Sequence, residues 1–303
     1  MIHQSELILN SDGTIFHLHL KPEHIAENIL LVGDQARVKA IADHFDTIDF
    51  STQNREFQTI TGWYNHKKIS VISTGIGTDN IDIVLNELDA LVNIDLKNRE
   101  IKKNKKLLQI VRIGTSGGVQ EDLPLNSFVV SKKSIGFDGM LNYYADRERH
   151  CDLPFEKAFK GFTGWKDTLP DPYVVNASNQ LLSRFEGDRF VKGVTISAPG
   201  FYGPQGRILR LPVAMPNLNK QIEKFRFEGL KITNFEMESS AIYGLSKMLG
   251  HHALTVCLII ANRVTGQANE NYRDEMQKMI KAVLQQLTTN ETSMTIHVTN
   301  KHD

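Results

Sequence analysis

Along this chain, short apolar runs rich in β-branched residues alternate with stretches in which apolar residues recur every third or fourth position. Ile29-Leu30-Leu31-Val32, Ile69-Ser70-Val71-Ile72 and Leu107 to Ile113 each end in glycine, serine or threonine, as strands running into a turn do. Between the second and third runs, Ile81, Val84, Leu85, Leu88, Leu91 and Val92 fall at helical spacing, which predicts an amphipathic helix over Asn80 to Val92 that crosses between two strands. Further strands are expected at Phe128-Val129-Val130, Val191 to Ile196 and Leu254 to Ile260. Met237, Ala241, Leu245 and Leu249 mark a helix before the last of these, and Glu270 to Leu287 is expected to close the fold as a helix. Such alternation predicts an α/β sheet flanked by helices. Asn142 to Pro172 is crowded with aromatic, charged, Gly and Pro residues without a clear period, and reads as a long irregular excursion or lid. No repeat or composition shift divides the chain, so one domain is expected over residues 1–287, followed by a polar tail over 288–303.

Composition narrows the partners. A chain of 303 residues with 41% hydrophobic content can bury a sizeable core. Lys plus Arg equals Asp plus Glu at 35 each, so no overall field recruits nucleic acid or an acidic membrane surface, and any anion site must be local. Cys151 and Cys257 form no disulfide framework and no CxxC pair, which suits a reducing cytoplasm. Met1 to Leu20 has no apolar core of a signal peptide, and the run Cys257 to Ala261 is far too short to span a bilayer. His and Cys spacings match none of the usual zinc patterns, so neither a metal nor another cofactor is expected.

Three predicted strand ends carry related sequences: Gly33-Asp34-Gln35-Ala36-Arg37, Thr74-Gly75-Ile76-Gly77-Thr78 and Arg112-Ile113-Gly114-Thr115-Ser116-Gly117-Gly118. In an open α/β sheet, ligands bind at the carboxyl ends of strands, where glycine lets backbone N–H groups approach an anion. Arginine adds a planar fork for phosphate, and threonine adds a hydroxyl. These are not ordinary nucleotide loops: no GxxxxGK[ST] occurs, and Asn80 stands where a dinucleotide fingerprint starting at Gly75 needs its third glycine. Phe201-Tyr202-Gly203-Pro204-Gln205-Gly206-Arg207 reads as a loop offering an aromatic face, an amide and a guanidinium to a flat heterocycle. Glu236 and Glu238 lie at the expected start of the Met237 helix. Residues two apart on a helix point about 200° from each other, so only one of the two carboxylates is expected to face a ligand.

Taken in order, Gly33-Asp34 with Arg37, Arg55-Glu56-Phe57, Thr74 to Gly77, Arg112 to Gly118, Gln205-Gly206-Arg207, Glu236 to Ser240 and Asn262-Arg263 resemble the nucleoside phosphorylase family, in particular its uridine-cleaving members. The resemblance implies one α/β domain with a twisted, partly barrel-like mixed sheet, assembled as a homo-oligomer, a dimer or a ring of dimers. It implies that Gly33, Arg37, Arg112 and Thr115 bind phosphate, with Arg55 lent by a neighbouring subunit. His17, from the same neighbour, would contact the ribose 5′-hydroxyl. Glu238 would be the main ligand of the ribose diol, with Met237 a second contact and Glu236 a helper. Phe201 would stack on the base, while Gln205 and Arg207 would bind its edge with Arg263 behind them.

The chemistry expected is attack of phosphate on the anomeric carbon as the bond to the base breaks, with inorganic phosphate as co-substrate. Arginines would hold the nucleophile. Arg207 and Gln205 would stabilise the departing base anion, and Arg207, Gln205 and Glu238 are the expected catalytic residues. Uracil is favoured over a purine because Ile260-Ala261-Asn262-Arg263 lacks the Asp that purine-cleaving relatives generally carry there. A hydrolase on the same fold would leave Arg37, Arg55 and Arg112 without a purpose, and a mere nucleoside-binding protein would not need them. Two departures from the family's pattern stand out: His19 replaces a usual glycine, and Thr78-Asp79-Asn80 stands where smaller residues are usual. The Asn142 to Pro172 stretch also looks longer than its family counterpart.

Overall fold

The protein's structure, a computed structural model, describes residues 1–289. After an N-terminal arm ending in a 3-10 turn at Pro22–His24, the chain forms β1 (Asn28–Val32), α1 (Gln35–Ala42), β2 (Thr47–Asn54), β3 (Phe57–Tyr64), β4 (Lys67–Ser73) and α2 (Thr78–Asn93). A small pair, β5 (Ile94–Asp95) and β6 (Glu100–Ile101), precedes β7 (Gln109–Gly118) and β8 (Phe128–Gly136). Next come α3 (Leu153–Thr163), β9 (Tyr173–Asn176), α4 (Asn179–Leu182) and β10 (Phe190–Ser197). The chain is completed by α5 (Leu218–Lys224), β11 (Arg226–Phe227), β12 (Leu230–Glu236), α6 (Ser239–Leu249), β13 (His252–Asn262), β14 (Gln267–Ala268) and α7 (Arg273–Thr288). Beyond Thr289 the expected polar tail lies outside the described residues.

The main sheet runs in the order β11-β12-β10-β8-β13-β7-β1-β4-β3-β2. Strand β12 also pairs antiparallel with β7, through Asn234 with Gly118 and Phe235 with Gly117. That contact closes β7, β13, β8, β10 and β12 into a ring, and β1, β4, β3 and β2 extend from it as an open sheet. The twisted, partly barrel-like mixed sheet is therefore present. Strands β4, β1, β7 and β13 are parallel neighbours, so the glycine-bearing ends of β1, β4 and β7 come out side by side on one edge.

Burial explains these elements. Ile29 to Val32 are fully buried, as in a central parallel strand covered on both faces, and so read as a continuous apolar run. On α2, Ile81, Val84, Leu85, Leu88 and Leu91 are all buried, the face that their spacing predicts. The helix over Glu270 to Leu287 is found at Arg273–Thr288, with Met276, Met279, Ile280, Val283 and Leu287 buried. Among the described residues, no helix is long and apolar enough to cross a membrane.

The Asn142 to Pro172 stretch departs from expectation. It is not irregular throughout: α3 occupies its centre, started by Asp152, whose carboxylate accepts from the Phe155 N–H, and by Pro154 in the first turn. Phe155 and Phe159 are fully buried against Phe225 at ring-centroid distances of 5.4 and 5.5 Å. Phe137 and Trp165 join the same aromatic cluster. The segment is thus a wall of the second hydrophobic core, beside the ring of strands.

Candidate active site

The anion end of the site is built at the exits of β1, β4 and β7. Asp34 caps α1 by accepting from the Arg37 N–H at 2.9 Å, and its other oxygen lies 3.1 Å from Arg37 Nη2. Arg37 Nη1 reaches across to the Ile113 carbonyl on β7 at 3.4 Å. Arg112 lies in the buried run of β7 and is only 5% exposed. Its path depends on Gly114, where an added Cβ would stand 1.9 Å from Arg112 Nη1. Glycine inside this strand therefore marks a close approach rather than a turn. Thr115 is half-buried one residue further on, and Gly33 is half-buried at the end of β1.

Glu238 meets Arg112 directly. Arg112 Nη2 donates to Glu238 Oε2, and the Gly77 N–H donates to Glu238 Oε1 at 2.9 Å. Gly77 holds a φ of +103°, open to glycine and strained for other residues, and it stands at the N-terminus of α2. Glu236 lies 3.5 Å from Arg112 Nη1. The expected helix from Met237 is corrected here: Glu236 ends β12, Met237 lies between elements, and Glu238 precedes α6 in a non-helical conformation. The helical argument that only one carboxylate can face a ligand therefore fails, because neither residue is helical. Both converge on one guanidinium.

The helper role expected of Glu236 also changes. Its oxygens accept from the Glu238 and Ser239 N–H groups and from the Ser197 and Ser239 hydroxyls. With those donors and Arg112 its lone pairs are used, so Glu236 caps α6 and steadies Arg112 rather than offering an oxygen to a sugar. Burial pushes the Glu238 carboxyl above its ordinary range; Arg112 pulls it back and Glu236 pushes it further up. Burial opposes the charge on Arg112, but Glu238 and Glu236 outweigh it and hold the guanidinium pKa above its ordinary value.

The base end forms around a 3-10 turn, Gly203–Gln205. Gln205 is buried, and its side-chain oxygen accepts from Arg207 Nη1 at 2.7 Å and Arg263 Nη2 at 2.6 Å. Arg263 also donates to the Gln205 backbone carbonyl and packs over the Phe235 ring at 4.7 Å. Arg207 lies 3.7 Å from the centroid of Phe201, which is itself 51% exposed. Burial, followed by the charge of Arg207, lowers the Arg263 pKa to about 10. The four expected base residues are thus brought together. Gln205 was expected to bind the edge of the base, whereas its side-chain oxygen here is shared by two guanidiniums.

His17 and Arg55 form a separate group. The Asn54 amide donates to the His17 carbonyl at 2.8 Å, and the Arg55 guanidinium stands 5.8 Å from the Phe16 ring centroid. Glu87, which carries no motif signal in the sequence, accepts from the His17 ring and from two backbone N–H groups. His19 takes a φ of +55°, which explains why glycine is usual at that position. Among the described residues, no group of three or more His, Cys, Asp or Glu could hold a metal ion.

This chain belongs to the phosphorylase superfamily, whose family model matches residues 28–290. It is 29% identical to a uridine phosphorylase of Thermococcus kodakarensis over 262 residues, which cover 84% of this chain and 80% of that one. A uridine phosphorylase of Haemophilus influenzae is 28% identical over 89% of this chain and 94% of its own. A DeoD-type purine nucleoside phosphorylase of Listeria welshimeri is 27% identical, over 83% and 88%. Among solved structures, a Trypanosoma brucei nucleoside phosphorylase that shows uridine phosphorylase activity superposes with a TM-score of 0.85 at 30% identity, covering 94% of this chain and 100% of that one.

Proposed function

We propose that this protein catalyses phosphorolysis of uridine, taking up inorganic phosphate and releasing uracil and ribose 1-phosphate. The observation that carries this reading is the layout of one sheet edge. Arg37, just beyond β1, reaches the Ile113 carbonyl next to Arg112 on β7, Glu238 stands against Arg112, and the Gln205, Arg207 and Arg263 group forms a second cluster rich in donors. Arg112 Nε and Arg263 Nε are buried without a hydrogen-bond partner among the described residues, so both clusters hold donors to spare. The uridine phosphorylase activity of the Trypanosoma brucei neighbour supports the choice of reaction.

In this reading Arg37, Arg112, Gly33 and Thr115 hold phosphate, and Glu238 accepts the two hydroxyls of the ribose beside Met237. Substrate binding exchanges partners: phosphate takes over Arg112, freeing Glu238 for the diol, and a base carbonyl takes over Arg207 from Gln205. A phosphate oxygen then forms a bond to the anomeric carbon as the carbon–nitrogen bond breaks and its electron pair moves onto uracil, whose nitrogen takes up, through solvent, the proton that the phosphate gives up. Arg207 and the Gln205 amide donate to the oxygens on which that charge settles. No cofactor enters the scheme, and the reaction suits a cytoplasmic enzyme of nucleoside salvage or breakdown.

A homo-oligomer, either a dimer or a ring of dimers, is part of the proposal. Arg55 and His17 occur as one surface group held by Asn54 and Phe16, an arrangement suited to serving a neighbour's site. Against a purine substrate, β13 ends in Asn262, whose buried amide donates to the Gln120 and Leu123 carbonyls, and no acid is offered there. Incubation with uridine, with and without phosphate, followed by measurement of free uracil, tests the proposal. Release must depend on phosphate; equal release without it makes the protein a hydrolase, and faster cleavage of inosine makes the purine reading correct.

A further inference from the structure

Glu87 lies on α2, apart from the pairings that build the Arg112 cluster and the base cluster, yet its side chain is only 13% exposed. Its carboxylate collects three donors from one turn of the N-terminal arm. The His17 N–H donates to Oε1 at 3.0 Å, the Leu18 N–H to Oε2 at 2.8 Å, and His17 Nδ1 lies 2.6 Å from Oε1. The two backbone contacts alone would cap this turn. The third holds a ring, and it has a chemical consequence. An ionised carboxylate can only accept, so Nδ1 must carry the proton, and in the neutral imidazole Nε2 is then the bare acceptor. The ring makes an edge contact with Phe16 at 4.8 Å, and the Asn54 amide holds the His17 backbone through its carbonyl at 2.8 Å. Its side chain remains 27% exposed, within reach of a neighbouring molecule.

We propose that Glu87 is a positioning residue that fixes the tautomer and aim of His17, so that His17 Nε2 accepts a hydrogen bond from the 5′-hydroxyl of the nucleoside. This rests on the reading of His17 as a contact to that hydroxyl in a neighbour's site. Glu87 itself touches no substrate. Without its carboxylate the ring loses the partner that keeps the proton on Nδ1, and a share of the molecules turn a donor or the wrong edge toward the sugar. Specificity for a free 5′-hydroxyl is therefore set by a residue on α2 that acts through the arm.

The test compares uridine with 5′-deoxyuridine, which lacks the hydroxyl, by phosphate-dependent uracil release. Wild-type protein should favour uridine in kcat/KM by about tenfold, the worth of one well-made hydrogen bond. His17→Ala should bring the ratio close to one. Glu87→Gln should lower the ratio at least threefold, the loss falling on uridine, and combining it with His17→Ala should change the ratio no further. Should Glu87→Gln fold poorly by its unfolding midpoint, Glu87→Asp, which withdraws the carboxylate by one methylene, is read in the same way. A wild-type ratio in the Glu87 variant, or an equal loss on both substrates, overturns the proposal. An unmoved ratio in His17→Ala overturns the role of His17 on which it rests. Absence of phosphate-dependent release from uridine by the wild type overturns the reaction itself.

Discussion

Replacing Arg112 by alanine removes a cation that faces two buried carboxylates, and the structure says which carboxylate suffers. Glu236 keeps four donors, two backbone N–H groups and the Ser197 and Ser239 hydroxyls. Glu238, 2% exposed, keeps the Gly77 N–H. The cost should therefore be that of one uncompensated buried charge, about 3–5 kcal/mol of unfolding free energy. Adding Glu238→Gln removes that charge, so the double variant should be more stable than Arg112→Ala alone by about 2 kcal/mol, a strongly non-additive pair. The loss should also depend on pH. Burial already raises the Glu238 pKa, and taking away Arg112 removes the strongest influence that pulls it down, leaving the Gly77 N–H. A carboxyl whose folded pKa lies above its unfolded value of about 4.3 contributes its full stability below that value and loses it as pH rises through the raised one. Arg112→Ala should thus be closer to wild type at pH 5 than at pH 8. Urea unfolding followed by circular dichroism at both pH values, on the two single variants and the double, measures all of this. Equal losses at the two pH values together with additive single variants would refute the picture of Glu238 as the charge that Arg112 neutralises.

Gln205→Ala should slow uridine by about 10²–10³ in kcat, the usual cost of losing one donor to a developing anion, while barely affecting the slow purine nucleosides; steady-state rates on uridine and inosine decide this. Mixing inactive Arg55→Ala with inactive Arg112→Ala subunits should restore part of the activity, because one mixed arrangement contains an intact site. Failure to recover activity after exchange confirmed by native mass would count against a shared site. Phe159→Ala should cost about 3–5 kcal/mol in urea unfolding, since this fully buried ring packs on Phe137, Trp165 and Phe225. A loss below about 1 kcal/mol would return the segment around α3 to the status of a loose excursion.

What could be read from the sequence follows from where each element lies. Strands β1 and β4 and helix α2 were legible because central parallel strands are apolar on both faces and their crossover helix carries a full buried stripe. The hairpin β2–β3 was not: β2, Thr47–Asn54, sits at the sheet edge with no buried position, so its sequence carries little apolar signal. Helix α3 was hidden by the density of aromatic and charged residues around it, although Asp152 and Pro154 form a helix-start signal. Within the site, the types of residue were legible and their pairings were not. Arg112 and Glu238 are 126 positions apart, and His17 and Glu87 are 70 apart, so only the folded sheet edge and the arm laid on α2 reveal that each is held by the other. The glycine at 114 links the two levels. As a motif letter it suggested a turn near an anion; in the strand it is the gap through which the Arg112 side chain passes, with 1.9 Å where a methyl group would have to fit. Gly114→Ala should therefore displace the guanidinium from Glu238, leaving that buried carboxylate without its cation and lowering the urea unfolding midpoint as Arg112→Ala does.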